Sequence, residues 1–395
     1  MTTSDRFHSA GTSAGASAST PVLTQRALNR ATLARQLLLT RTAMPAKDAV
    51  PHLLGLQAQN TKPPYHALAA RLEGFDPQEL SGLMASREVA RMVTMRSTIH
   101  TLTADDCLTL RPLVQPIVDR ELRVFLKRLP GVDVAELASM ARELVEERPR
   151  SLKELREGLL KRWPDSDPQG LATLARCALP LLQTTPRGLW EQSGQVTLTT
   201  ARKWFGRPEP ELSPADTAEL LDATVLRYLG AFGPASVQDM QTWCGLTRLR
   251  TAFERLRPGL LTFRDERGTE LFDLPGAPRP DEDTPAPVRF LPEYDNLLLS
   301  HADRTRVAPP EYSGRTFYVN VSYPTFLVDG LVAGIWRLAE SKKDGTAGIT
   351  VELFAEVTRA QRAEIAEEAA YMLGILSPGA VHDVRFGEFY GTRAG

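Results

Sequence analysis

The sequence predicts an α+β fold built from tandem winged-helix modules, a helix-turn-helix variant, followed by a C-terminal β-rich domain. Two observations lead to this. A unit of two or three helical stretches running into a β-hairpin occurs three times, with no sequence identity among the copies, so the repeat is structural. A proline-rich linker, "LPGAPRPDEDTPAP", then separates the last copy from a segment rich in strand-forming residues. The boundaries that follow are residues 1–20 as a disordered tail, 21–110, 111–210 and 211–275 as modules 1 to 3, and 276–395 as the C-terminal domain. A generic α+β protein with accidental hairpins is the alternative.

Module 1 opens with "LTQRALNRATLARQLLL", where Leu28, Ala31, Leu33, Ala34, Leu37 and Leu38 form an apolar face at helical spacing. The pattern predicts a second helix from about Ala46 to Leu56, a short one after Pro64, and another over "DPQELSGLMAS". "VARMVTMRSTIHTLT" then reads as two short strands around Arg96 and Ser97. In module 2, Ser151 and Glu154 have capping-box spacing, in which each side chain satisfies an orphan amide of the helix start. A helix through "GLATLARCAL" follows, and Pro186-Arg187-Gly188 turns one strand back on the next. Module 3 combines "TAELLDATVLRYLGAFG", a helix from Ser236 to about Cys244, "TRLRTAFERLR" and the hairpin "GLLTFRDERGTELFDL". Beyond the linker, Asp329-Gly330 and Asp344-Gly345 are hairpin turn signals, and a final helix covers about Arg359 to Ile375.

Composition excludes several classes. The 395 residues are 42% apolar and 24% charged, ordinary for a soluble globular protein, and no apolar run is long enough to span a membrane. The first twenty residues lack the apolar core of a secretory signal. Three scattered cysteines give neither a disulfide framework nor a zinc spacing and fit a reducing cytoplasm, where the chain is expected to join the nucleoid when bound to DNA. The absence of a heptad repeat predicts a monomer. The net charge of −1 argues nothing about nucleic acid, but residues 21–71 hold seven cations against Asp48 alone. Such segregation can present a basic face to phosphates, or it can solvate the backs of helices.

Winged helices most often read the major groove through the second helix. In module 1 that helix carries Asp76 and Glu79 and no cation before Arg87. In module 3, Arg248 and Arg255 lie seven apart, as do Arg250 and Arg257, so each pair is expected on one helix face. The hairpin "GIWRLAESKKDGTAGITVELF" carries Arg337 on its stem and Lys342 and Lys343 at its tip, suited to a groove or to phosphates. A lysine-decorated turn that keeps an edge strand soluble is the competing reading.

The usual catalytic constellations are missing. The six histidines have no metal spacing, and there is no G-x-S-x-G and no P-loop, so neither metal nor cofactor is expected. "HLLGLQAQN" instead places Gln57 and Gln59 two apart, just before the helix breaker "TKPPY". In a continuous helix the two amides would point about 200° apart at ~100° per residue. If the helix ends near Gln57, extended chain can turn both into one cleft. An amide accepts through its oxygen and donates through its NH2, so two can fix the position of a water without deprotonating it. Such a site needs a substrate with a good leaving group. A simple pair of helix-end caps is the competing reading. His100 alternates with Thr98 and Leu102 and faces either a groove or the core, and the polar run His301-Ala302-Asp303-Arg304 reads as a loop fixing module 3 against the sheet.

"LGLQAQ", "RSTIHTLTADD", "FLPEYDNLLLSHADRTRV" and "VDGLVAGIWR" together resemble the bacterial winged-helix DNA glycosylases of the AlkZ/YcaQ type, over nearly the whole chain from Leu23. Some members confer self-resistance to DNA-alkylating natural products such as azinomycin. The broader branch typically carries aspartate where this chain has Gln59, so the chain resembles the resistance-type branch. The resemblance implies a C-shaped array of winged helices and hydrolysis of the N-glycosidic bond of N7-alkylated purines in double-stranded DNA. The expected substrates extend to bulky toxin adducts or interstrand crosslinks. It implies Gln57 and Gln59 as the catalytic, water-positioning pair, with Arg96, His100, Arg304, Arg306, Arg337, Lys342 and Lys343 as DNA contacts. A non-catalytic winged-helix regulator, or a protein-interaction member of the same scaffold, is the other reading.

Overall fold

A computed structural model describes residues 20–318 and 321–391, with several helices and four sheets among them. The tail expected over residues 1–20 lies outside the described residues except for Thr20.

Module 1 begins with helix Gln25–Arg35, whose Thr24 side chain accepts from the Ala27 N–H at 3.0 Å. Helices Pro63–Arg71 and Pro77–Ala85 lead into strands Val89–Val93 and Ile99–Thr103. The helix expected to reach Leu56 covers only Ala46–His52. Leu54 (φ 56°) and Gly55 (φ 85°) reverse the chain, and Leu56–Gln57 then forms a strand. Glycine is required there, because a Cβ at position 55 would lie 2.3 Å from Leu102 Cδ2.

The capping box of Ser151 and Glu154 is present at the start of helix Leu152–Leu160. Strands Leu181–Gln183 and Thr197–Thr200 pair antiparallel, with Pro186-Arg187-Gly188 inside a longer connection than a tight turn. The first two hairpins are not separate wings. Val89–Val93 pairs with Leu181–Gln183, giving one six-stranded sheet with Leu56–Gln57 at its edge. The third hairpin, Leu261–Asp265 with Glu270–Asp273, gains Val22–Leu23 as a parallel third strand. Helix Arg250–Leu256 starts after Arg248, which has φ 64°. Arg250 and Arg257 converge on Glu254 and Glu270, and Arg255 pairs with Asp222. Three of the four arginines expected to form basic faces are therefore matched by local carboxylates.

The C-terminal sheet has five strands, with hairpin turns at both Asp-Gly sites, and helix Arg359–Leu376 packs on it. One core joins Leu68 of module 1 to Phe290, Trp336 and Met372, so this sheet is fastened to the first module. Two buried carboxylates bridge distant segments. Asp295 takes bonds of 2.8 and 2.9 Å from Arg71, and Asp273 takes 2.6 and 2.9 Å from Arg35. Paired, bidentate geometry is what makes such burial tolerable. Among the described residues, no helix is long and apolar enough to cross a membrane.

Candidate active site

The site is built on the edge strand Leu56–Gln57. Gln57 pairs with His100 across the ladder, and His100 with Met92, so their side chains share one face of the sheet. The Ala58 N–H donates to the Ile99 carbonyl at 2.7 Å, which carries the extended course one residue further. Gln59 follows in a bend just beyond the strand. The helix ends four residues earlier than expected, at His52, and Leu56–Gln57 is strand. Gln57 is buried and Gln59 is exposed.

Gln57 is held by Arg96, which stands at the tip of the turn between Val89–Val93 and Ile99–Thr103. Arg96 (φ 53°) and Ser97 (φ 59°) are successive non-glycine residues in the left-handed region, a strained arrangement that surrounding contacts must enforce. The Arg96 guanidinium donates to the Trp243 carbonyl and, at 2.7 Å, to Gln57 Oε1. Gly245 (φ 85°) caps helix Val237–Cys244 in the left-handed region and lies in van der Waals reach of Arg96. Arginine only donates, so the amide oxygen of Gln57 must face it. The Gln57 NH2 bonds no described residue. Burial lowers the Arg96 guanidinium to about 10, and the nearby charge of Arg304 acts in the same direction. Arg96 remains a cation at neutral pH.

His100 is buried and neutral. Burial, reinforced by the Arg96 charge, holds its pKa down to about 3. Its Nδ1 lies 3.0 Å from the Thr98 carbonyl and 3.2 Å from Thr94 Oγ1. The carbonyl can only accept, so Nδ1 carries the proton. An uncharged ring in the core is no phosphate contact, and His100 belongs to the floor beneath Gln57.

The remaining expected DNA contacts divide. Arg304 is exposed close to Arg96. Arg306 is buried and donates to the Pro234 carbonyl at 3.0 Å and to Thr32 Oγ1 at 3.3 Å, so it ties segments together and offers nothing to phosphate. The reading of Arg306 as a DNA contact is corrected accordingly. Arg337 is half-buried over the Phe389 ring, 5.0 Å from its centroid. Lys342 is exposed and lies 3.5 Å from Glu191, and Lys343 is exposed at the hairpin tip. His301 fixes its loop as expected, with Nε2 2.9 Å from the Phe232 carbonyl and the Ala302 N–H donating to Asp239 at 2.9 Å.

Sequence reasoning missed the Trp243 carbonyl, which brings module 3 to the Gln57 site. A backbone acceptor has no residue signature, so no pattern could have revealed it. Also missed was the bond from Asn60 to Glu293, whose carboxyl burial raises above its usual range. Glu293 lies in one of the stretches that carry the family resemblance, but nothing near it in sequence names Asn60 as its partner. Among the described residues, no group of three or more His, Cys, Asp or Glu could hold a metal ion.

The family model "DNA glycosylase AlkZ-like" matches residues 50–375. The Interstrand DNA cross-link repair glycosylase of Streptomyces sahachiroi is 24% identical over 358 residues, spanning 86% of this chain and 92% of that protein. The solved structure of Streptomyces sahachiroi DNA glycosylase AlkZ shares the fold, with a TM-score of 0.76 and 21% identity over 93% of this chain and 100% of that one. The chain therefore belongs to the AlkZ-like family of DNA glycosylases, a DNA-repair and DNA-binding family.

Proposed function

We propose that this protein hydrolyses the N-glycosidic bond of N7-alkylated purines in duplex DNA. The observation that carries the reading is the Gln57 amide, buried at a sheet edge with its oxygen locked by Arg96, followed by an exposed Gln59. Alkylation at N7 makes the base cationic, so it departs without a general acid. The sugar develops oxocarbenium character, and water completes the displacement. Gln57 and Gln59 hold that water under the anomeric carbon. With its oxygen engaged by Arg96, Gln57 contributes mainly its NH2, which leaves Gln59 to accept from the water. A water held by one donor and one acceptor is oriented as well as located, which is the entropic part of catalysis.

The three helix–hairpin units over residues 21–110, 111–210 and 211–275 serve as winged-helix modules, the first two joined through one shared sheet. They act as a frame that grips backbone, and residues 276–395 supply the basic hairpin. Arg304, Arg337, Lys342 and Lys343 contact DNA, with Arg96 acting from beneath. Crosslinks and bulky toxin adducts fall within the substrate range; the Streptomyces sahachiroi relative is an interstrand DNA cross-link repair glycosylase. The experiment is a panel of duplexes carrying N7-methylguanine, bulky N7 adducts and an N7-linked crosslink. Free alkylated base and alkali-labile sites are expected. Release from none of the panel, with tight binding to one unmodified sequence, would point to a regulator.

A further inference from the structure

We infer that Arg91 is a positioning residue for Gln59, its buried guanidinium fixing the backbone from which that amide projects. The inference rests on the glycosylase reading and extends it to the second of the two amides. Arg91 lies in strand Val89–Val93 opposite Thr101, and Thr101 is in turn opposite Leu56. Met92, His100 and Gln57 are the adjacent residues on the same three strands. Side chains alternate along a strand, so Arg91 rises from the face opposite to the one that carries Gln57. Arg96 holds Gln57 on one face, and Arg91 reaches the chain just beyond it from the other.

The contacts of Arg91 meet on the bend. Its Nη2 donates to the Ala58 carbonyl at 2.6 Å and, at 3.4 Å, to the Asn60 carbonyl. These two residues flank Gln59, whose own backbone N–H bonds no described residue. The Ala58 N–H donates to the Ile99 carbonyl at 2.7 Å. Both polar groups of Ala58 are thus fixed, and the planar peptide leading into Gln59 is set. Nη1 of Arg91 donates at 2.8 Å to Oε1 of Gln183, the residue opposite it on strand Leu181–Gln183. Gly188 (φ 97°) leaves room for the stem, since a Cβ there would lie 2.9 Å from Arg91 Cδ.

Arg91 differs from the other deeply buried arginines. Arg30, Arg35 and Arg71 are likewise fully buried, and each meets a carboxylate, those of Asp329, Asp273 and Asp295 in turn. Arg91 bonds only amide and carbonyl oxygens among the described residues, and its Nε has no partner. Burial, followed by the charge of Arg187, lowers its pKa to about 10, so it is a cation at neutral pH. A buried cation with only neutral partners costs stability, so packing alone does not explain the residue. Its planar fork does what no apolar side chain could. It ties a strand of each of the first two modules to the carbonyls around Gln59.

The test couples Arg91 to Gln59 in a double-mutant cycle. Single-turnover release of N7-methylguanine from duplex DNA is measured for wild type, Arg91→Met, Gln59→Ala and the double variant. Arg91→Met is expected to slow release at least tenfold while Gln59 is present and less than twofold once it is alanine, because the residue acts through that amide. An equal fold loss in both backgrounds is what a merely structural role gives, and it overturns the inference. A nitroxide on Gln59→Cys, the native cysteines being buried, gives a readout without catalysis. Arg91→Met is expected to sharpen its spectrum toward free motion. An unchanged spectrum means that Asn60, bonded to Glu293, holds the bend without Arg91, and also overturns the inference. If Arg91→Met does not fold, Gln183→Leu, which removes the Nη1 acceptor, is carried through both arms with the same expectations. Failure of wild type to release base from any duplex counts against the glycosylase reading, while the nitroxide arm still decides whether Arg91 orders the bend.

Discussion

Arg96 donates from Nη2 to Oε1 of Gln57 across 2.7 Å, from the tip of a strained hairpin to the edge strand of the same sheet. The same guanidinium holds the carbonyl of Trp243 in the third module. The amide is therefore oriented by a residue that itself depends on docking between modules. Arg96→Ala should lower kcat for release of N7-methylguanine about 10²-fold, the scale of loss expected from a misplaced reacting group, with a much smaller change in KM. Arg96→Lys, which keeps the charge and loses the fork, should fall between. If KM rises with kcat untouched, Arg96 is a DNA contact and not a positioning residue.

The exposed cations should separate from those that are buried. Replacing Lys342 and Lys343 with alanine should weaken binding across sequences and reduce the slope of log affinity against log salt by roughly one to two. Arg306→Ala should leave that slope alone and destabilise the fold, because the Pro234 carbonyl and Thr32 lose their partner. Salt titrations and denaturant melts on the two variants check this together.

Much of the fold was legible because its signals are local. Asp329-Gly330, Asp344-Gly345 and the Ser151–Glu154 box are each written within a few residues, and each turn or cap formed where the pattern placed it. What was not legible is carried by long-range pairing. Nothing near Arg306 in sequence says that Pro234 will claim it, and nothing near Arg250 and Arg257 names Glu270. The candidate site divides the same way. That the helix ends before Gln57 follows from the local breakers, but the position of the break at Leu54 and Gly55 depends on how closely Leu102 approaches.

Acid should destabilise the protein earlier than carboxylate titration would. His66 and His100 are buried with pKa values of about 3, below the ordinary histidine value. The unfolded chain takes up those protons as pH falls through about 6.5, while the folded chain refuses them until about pH 3. Stability is therefore full above about pH 6.5 and falls below it, approaching about 3 kcal/mol per pH unit from these two residues. Urea melts between pH 7.5 and 5 check the sign. A flat profile there would contradict the buried, neutral assignment.

Asp273 should matter to stability more than its distance from the Gln57 site suggests. It is fully buried between Arg35 and Arg279. Asp273→Ala would strand the Arg35 guanidinium in the core and should cost about 3–5 kcal/mol, read as a lowered denaturant midpoint.

In the proposed reaction two amides, with no acid or base, aim a water at the anomeric carbon while the base departs as an already good leaving group. Single-turnover release of N7-methylguanine from duplex DNA by wild type and by Gln57→Ala/Gln59→Ala tests it most directly. The double variant is expected to bind the duplex with near wild-type affinity and to lose release by two orders of magnitude or more. Equal release by the two proteins would contradict it.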